Sequence, residues 1–163
     1  MRLRVVFLSL FLIGWSSLGW SQNGLPFMTN IELNRQFSDS RIRSIIQDSE
    51  ESMYFSTARG VLRFDGSRWI RIATPSPALK LVHDKVSNRV FVGLKDGAVE
   101  VLRSDSGTYE VQPIKGISNG QPINQILTTE GNVFFIGESE IYRLSSLDNE
   151  PAERFEFSEM LIS

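Results

Sequence analysis

Apolar residues in this chain fall in short runs rather than at helical spacing, and clusters of Gly, Asn, Asp and Ser separate the runs. Val, Ile, Phe, Tyr and Trp dominate them, and many alternate with polar positions. That pattern predicts strands, because side chains on a pleated strand point to opposite faces in turn. Predicted strands are Arg43–Gln47, Met53–Ser56, Val61–Phe64, Trp69–Ile72, Ala78–Val82, Arg89–Val92, Ala98–Leu102, Thr108–Pro113, Ile123–Leu127, Val133–Ile136 and Glu140–Leu144. Their starts are spaced by about 8–12 residues, the signature of an all-β chain.

The strands repeat. Tyr54–Phe64 (YFSTARGVLRF) lies over Phe91–Val101 (FVGLKDGAVEV) at an offset of 37 residues, and over Phe134–Leu144 (FFIGESEIYRL) at a further 43. An apolar strand begins 11 or 12 residues before each copy, at Ile42, Leu79 and Ile123. Each unit therefore reads as four strands in about forty residues, which is one blade of a β-propeller. One such sheet covers neither of its own faces. Stacked blades cover both, and the second strands are correspondingly apolar at successive positions: Met53-Tyr54-Phe55, Val90-Phe91-Val92, Val133-Phe134-Phe135-Ile136. Gly60 and Gly97 supply the positive φ that a tight hairpin needs. Glu140 stands at the matching place in the third copy, so that turn is expected to be built differently. The alternative is a β-sandwich of unrelated hairpins, which three copies in phase disfavour.

The first residues follow another pattern. Met1–Arg4 carries two arginines, Val5–Gly14 is apolar but for Ser9, and WSSLGWSQ follows. A basic start, an apolar run of about ten residues and a small-residue exit compose a secretory signal peptide. Gly19 and Ser21 suit cleavage before Gln22. The other reading is an uncleaved anchor, for which the run is shorter than the roughly 20 residues that span a bilayer. The resulting organisation is a signal peptide over 1–21, a leading segment over 22–41, and blades over 42–77, 78–122 and 123–157. Residues 158–163 are the truncated start of a further repeat. The fold class is all-β: a partial propeller of about three four-stranded blades behind a signal peptide.

Composition narrows the chemistry. The chain of 163 residues has no cysteine, which excludes disulfides, thiolate metal sites and a thiol nucleophile, and its one histidine excludes a multi-histidine metal site. Net charge is −2, and loss of Arg2 and Arg4 with the leader makes it −4, so nothing marks nucleic acid as a partner. An exported chain without cysteine fits a bacterial periplasm. No cofactor is expected.

Over Ile42–Ala73 the chain resembles the two-component-regulator propeller repeat. The matching positions are Ile45-Ile46, Gln47-Asp48, Tyr54-Phe55, Ser56-Thr57, Gly60-Val61, Phe64, Asp65-Gly66 and Trp69. Gly24-Leu25-Pro26-Phe27 is similar to the segment that precedes the first blade in that family. The later copies depart: Arg103-Ser104 and Ser145-Ser146 replace Asp-Gly, while in the first copy Glu50-Glu51 replaces the usual turn glycine. The resemblance implies a periplasmic sensor of a bacterial signalling protein, binding a small molecule or carbohydrate. It implies a downstream membrane helix and output module, with a signal passed as a change in dimer geometry of the full-length form. Propellers have 4–8 blades, so a fragment of a larger protein is expected, closure by self-assembly of short chains being the alternative. The outer faces of the first and third blades would be exposed apolar surface, so the isolated fragment is expected to be unstable.

Candidate residues are few. Trp69 and Tyr109 are read as corresponding positions on the fourth strands of blades one and two; as aromatics they are sugar-stacking candidates or blade-to-blade packing. His83 beside Asp84 is the nearest approach to a general base or metal pair, and the propeller-lyase alternative rests on it. Asp48, Asp65 and Asp84 read chiefly as turn caps, and Gln47, Asp48, Gly60, Asp65, Gly66, Trp69 and Gly97 as repeat-motif positions. Glu50-Glu51 reads as a solvated turn, and Gly116–Pro122 as a surface loop where binding can reside. No phosphate loop or nucleophile elbow occurs, so this segment is not expected to be an enzyme. An exported scaffold for protein contacts is a further alternative.

Overall fold

Strand formation follows the apolar alternation closely. The computed structural model describes residues 41–148 and 150–156. The signal peptide, the leading segment up to residue 40 and the trailing residues 158–163 lie outside the described residues. Among the described residues there is no helix. Four strands make the first sheet: β1 (Ser44–Gln47), β2 (Met53–Thr57), β3 (Gly60–Phe64) and β4 (Trp69–Ile72). The second holds β5 (Ala78–Asp84), β6 (Arg89–Leu94), β7 (Ala98–Arg103) and β8 (Tyr109–Pro113). The third holds β9 (Gln125–Thr129), β10 (Asn132–Ile136), β11 (Glu140–Ser145) and β12 (Glu153–Glu156). Each sheet is an antiparallel meander in chain order. The chain is all-β, with three repeated four-stranded sheets arranged as a partial propeller.

Strand pairing places the repeat in register. Tyr54 opposes Arg63, Phe91 opposes Glu100 and Phe134 opposes Arg143. These are the pairs that offsets of 37 and 43 demand. Two apolar layers lie between the sheets. One joins Tyr54, Val61 and Ile72 of the first sheet to Leu81, Val90, Val92 and Val99 of the second. The other joins Phe91 and Ala98 of the second to Ile126, Val133, Phe135, Tyr142 and Leu144 of the third. Successive residues of one strand thus serve different layers: Val90 and Val92 face the first sheet, and Phe91 faces the third. Phe91 and Phe135 meet edge to face at 5.7 Å across the second layer, a favoured aromatic geometry. Neighbouring first strands lie close together, β1 beside β5 and β5 beside β9, while β4 and β8 scarcely touch. The sheets therefore converge at their first strands and splay toward their fourth, as propeller blades do.

Some boundaries differ from expectation. Ile123 is not in a strand. It is fully buried in the link before β9, where its N–H donates to the Leu94 carbonyl at 2.9 Å. Its own carbonyl stands where a Cβ on Gly93 would be, 2.6 Å away, so glycine permits the close approach of link and strand. A fourth strand of the third sheet, absent from the predicted strands, is formed by Glu153–Glu156 and includes Phe155 and Glu156. They end β12, where Phe155 pairs with Ile141 and completes the third sheet.

The turns show one device that the sequence reading passed over. Glu51, Asn88 and Gly131 stand at equivalent places between the first and second strands, and all have positive φ, at 63°, 55° and 89°. Glu51 therefore adopts the left-handed conformation that glycine takes in the third sheet, beyond being a solvated turn residue. Gly60 and Gly97 have positive φ as expected. The third hairpin differs at Glu140, which does not, yet it closes the same way: Gly137 N–H donates to Glu140 O at 2.9 Å, as Leu94 N–H does to Gly97 O.

Candidate functional site

Because each sheet is a meander, the β1–β2, β3–β4, β5–β6 and β7–β8 turns gather at one end of the stack. The links between sheets gather at the other. The link end is closed by backbone contacts, Gly97 N–H donating to Gln121 O at 2.9 Å and Lys95 N–H to Pro77 O at 2.9 Å. Clefts open at the turn end, where the sheets diverge toward their outer strands. A cleft of about 270 Å³ lies between the first and second sheets, lined by Asp48, Glu50, Tyr54, Asn88, Arg103 and Tyr109 among others. A wider one of about 560 Å³ lies between the second and third, lined by Ser87, Gln112, Ser146 and Asp148 among others. A small third cleft beside it is lined by Gln112, Lys115, Leu144 and Glu150.

Arg89 and Glu100 line all three clefts. They form a two-point ion pair: Arg89 Nε donates to Glu100 Oε1 at 2.7 Å, and Arg89 Nη2 donates to Glu100 Oε2. The guanidinium also lies over the Phe91 ring at 4.9 Å. The hydrogen bond that Arg89 donates to Glu100 holds the guanidinium above its ordinary pKa, against the pull of burial. The equivalent place in the first sheet holds Ser52 and Arg63. Arg63 is buried, donates from Nε to Tyr54 Oη at 3.2 Å and from Nη2 to Ser52 Oγ at 2.6 Å, and lies 4.9 Å from the Tyr109 ring centre. Burial pushes the Tyr54 hydroxyl above its ordinary value, against the pull of Arg63. Above this buried network, Glu50 and Arg103 form an exposed ion pair at 3.6 Å that bridges the first two sheets.

Of the residues singled out by sequence, Tyr109 lines the first cleft and Asp48 its edge. Trp69 is elsewhere. It packs on the outer face of the first sheet, 5.3 Å from Phe55 and 4.7 Å from Phe64. The two aromatics are not in corresponding positions: Trp69 pairs with Phe64, whose counterpart Val101 pairs with Val111. Tyr109 lies two residues earlier, opposite Arg103. His83 and Asp84 do not form a pair. They are consecutive on β5, so their side chains leave opposite faces. His83 Nε2 is hydrogen-bonded to Asn88 Oδ1 at 2.9 Å. Asp84 is buried and caps its own turn, accepting from Ser87 N–H at 3.1 Å and from the Ser87 hydroxyl at 2.5 Å. Burial raises its carboxyl pKa, and the hydrogen bonds from Ser87 help to outweigh that and leave it lowered. Among the described residues no cluster of His, Asp and Glu is arranged to hold a metal.

The other aspartates also cap turns. Asp48 Oδ1 accepts from Glu50 N–H at 2.9 Å and Ser52 N–H at 2.8 Å, and Gln47 Nε2 donates to Glu51 O at 3.2 Å across the same turn. Asp65 Oδ1 accepts from Arg68 N–H at 2.8 Å, Ser67 N–H at 3.1 Å and the Ser67 hydroxyl at 2.9 Å, and Gly66 between them has positive φ. The Arg68 and Ser67 donors lower the Asp65 carboxyl to about 2. A depressed carboxylate contributes stability that is fully present above its unfolded value of about 3.9 and is lost as pH falls through its folded value. Asp65→Ala is therefore expected to lower Tm by a constant amount above about pH 5, with the gap to wild type closing between about pH 4 and 2. Thermal melts in that range check this, and a gap unchanged down to pH 2 would contradict it.

Sequence reading missed Arg63, Arg89, Glu100 and Arg103. A signal was present: strands apolar elsewhere carry a charge at the same repeat position, Arg63, Glu100 and Arg143. No protein-family model matches the chain, and no curated protein is significantly similar to it.

Proposed function

We propose that this chain is the extracytoplasmic ligand-sensing propeller region of a bacterial signal-transduction protein. It is exported by its leader to the periplasm. It binds a small molecule or carbohydrate at the turn end and relays to a membrane and output module downstream. The observation that carries the reading is the shared wall of Arg89 and Glu100, from which three clefts open. The Arg89 guanidinium, the Glu100 carboxylate and the Gln112 amide offer donors and acceptors that match sugar hydroxyls in the clefts toward the third sheet, and Tyr109 adds an apolar ring face to the separate cleft toward the first. The resemblance of Ile42–Ala73 to the sensor repeat supplies the signalling context. His83 is hydrogen-bonded to Asn88 and leaves β5 on the face opposite Asp84, which supports a binding role over the lyase alternative.

Calorimetric titration of the purified chain with neutral and uronic-acid oligosaccharides tests this. At least one class is expected to bind, with affinity reduced about tenfold in Tyr109→Ala, in line with the loss of roughly 0.5–1.5 kcal/mol for an aromatic contact. Trp69→Ala is expected to leave affinity unchanged, because Trp69 lies on the far face of its sheet. Absence of binding by either class, or equal loss in both variants, would remove these clefts as the sensing site.

A further inference from the structure

The turn that leaves β11 carries two serines where the first sheet has Asp65 and Gly66, and the turn uses the side chain of only one. Ser145 Oγ accepts from Leu147 N–H at 3.3 Å, a local cap of the kind that Asp65 makes. Ser146 is held by its backbone, whose N–H donates to Gly131 O at 2.9 Å, and the residue is buried. Its Oγ has no hydrogen-bond partner among the described residues. A buried hydroxyl left unpaired carries its full desolvation penalty. Ser146 lies near enough to Asp84 to help hold that carboxyl low, without meeting it in hydrogen-bonding geometry. The carboxylate turns the hydroxyl proton toward itself, so the lone pairs of Oγ are what remain for a ligand.

The cleft that Ser146 lines, between the second and third sheets, is short of cations. Ser146 and Asp148 line it from the third sheet, and Ser87, Arg89 and Glu100 from the second. Asp84 is buried beside Ser87, from which it accepts. Arg89 is already matched by Glu100 in the two-point pair and feels Asp84 only at longer range. Among the described residues neither Asp84 nor Asp148 has an ion-pair partner. The carboxylates of Asp84, Glu100 and Asp148 thus outnumber the one guanidinium, and the cleft is left with net negative charge. Two leucines flank it with much of their surface in solvent, Leu102 at 38% and Leu147 at 80%. A ligand that fits donates hydrogen bonds, carries positive charge and presents an aliphatic body. A protonated primary amine on a short alkyl chain has all three properties, with three N–H donors on a unit charge.

We propose that the cleft between the second and third sheets binds an aliphatic primary ammonium, its N–H groups donating to Ser146 Oγ and to the Asp148 carboxylate, its alkyl chain lying against Leu102 and Leu147. The ammonium gives Ser146 its missing donor and Asp148 its missing cation, and a water molecule could supply only the first. The site shares the wall of Arg89 and Glu100 with the sensing reading but not the ring of Tyr109. It holds whether or not the chain senses oligosaccharides.

Calorimetric titration of the purified chain with hexylammonium and with hexanol tests this. The ammonium is expected to bind tighter by about tenfold or more, since the two probes share an alkyl chain and differ in charge and N–H donors. Asp148→Asn is expected to weaken ammonium binding about tenfold, and Ser146→Ala about fivefold. Tyr109→Ala, a change in the cleft toward the first sheet, is expected to leave it unaltered. Without ligand, Ser146→Ala is expected to melt no lower than wild type, because it removes an unpaired buried group. Equal binding of ammonium and alcohol, or no binding of the ammonium, overturns the proposal. So does unchanged affinity in Asp148→Asn or in Ser146→Ala, the latter leaving Ser146 to a buried water. A lower melting temperature of unliganded Ser146→Ala also overturns it, by showing that the hydroxyl is spent on Asp84. A loss in Tyr109→Ala as large as in Asp148→Asn overturns it by moving the amine to the other cleft. Failure of oligosaccharide binding with the ammonium results intact removes the sensing reading alone.

Discussion

Phe135→Ala is expected to lower the unfolding free energy by about 3–5 kcal/mol, the range for deleting a buried aromatic ring. Phe135 is fully buried between the second and third sheets and meets Phe91 edge to face. The ring fills a layer closed on both sides, so alanine leaves a cavity that two hydrogen-bonded sheets cannot readily collapse into. Its neighbour gives the control. Phe134 is the same residue type on the same strand, but it points to the outer face and is only partly buried. Phe134→Ala is expected to cost about 1 kcal/mol. Denaturant unfolding measures both. Equal losses would mean that the third sheet is not layered as described.

Gly60→Ala is the second large effect. Gly60 closes the β2–β3 hairpin at φ 113°, and a Cβ there would lie 2.4 Å from the Ile72 carbonyl oxygen. That oxygen belongs to β4, beside the β3–β4 ladder, so backbone rather than a flexible side chain must give way. Positive φ at a non-glycine residue costs roughly 1–3 kcal/mol, and the clash adds to it, for an expected total of about 3–4 kcal/mol. Gly66→Ala separates the two contributions. Gly66 has φ 91° and open space where its Cβ would go. Only the backbone penalty applies, so its loss is expected to stay near 1 kcal/mol. Thermal melts of the two variants check the difference. A Gly66→Ala loss as large as that of Gly60→Ala would show that strain alone, and not the approach of Ile72, makes glycine necessary at position 60.

The contrast within each pair of variants also marks where sequence reasoning stops. Alternation, turn residues and the repeat of about forty residues determined by themselves that this chain forms three four-stranded sheets. Those signals are local: a period of two, a glycine in a two-residue hairpin, an aspartate two to four residues before the N–H groups it caps. Asp48, Asp65 and Asp84 were legible as caps for that reason. What the sequence left open is which face of each strand meets which neighbour, since a period of two marks two faces without naming them. Only the stacking of sheets decides that Phe91 and Glu100 look toward the third sheet while Val92 looks toward the first. It follows that Tyr109 and Trp69, alike in sequence context, end in a cleft and on an outer face respectively. His83 and Asp84, adjacent in sequence, are parted by the pleat for the same reason. Arg89 and Glu100 come together because β6 and β7 are paired in register, and the clefts beside them exist because the sheets splay. Both are consequences of packing among residues distant along the chain, and no local pattern carries them.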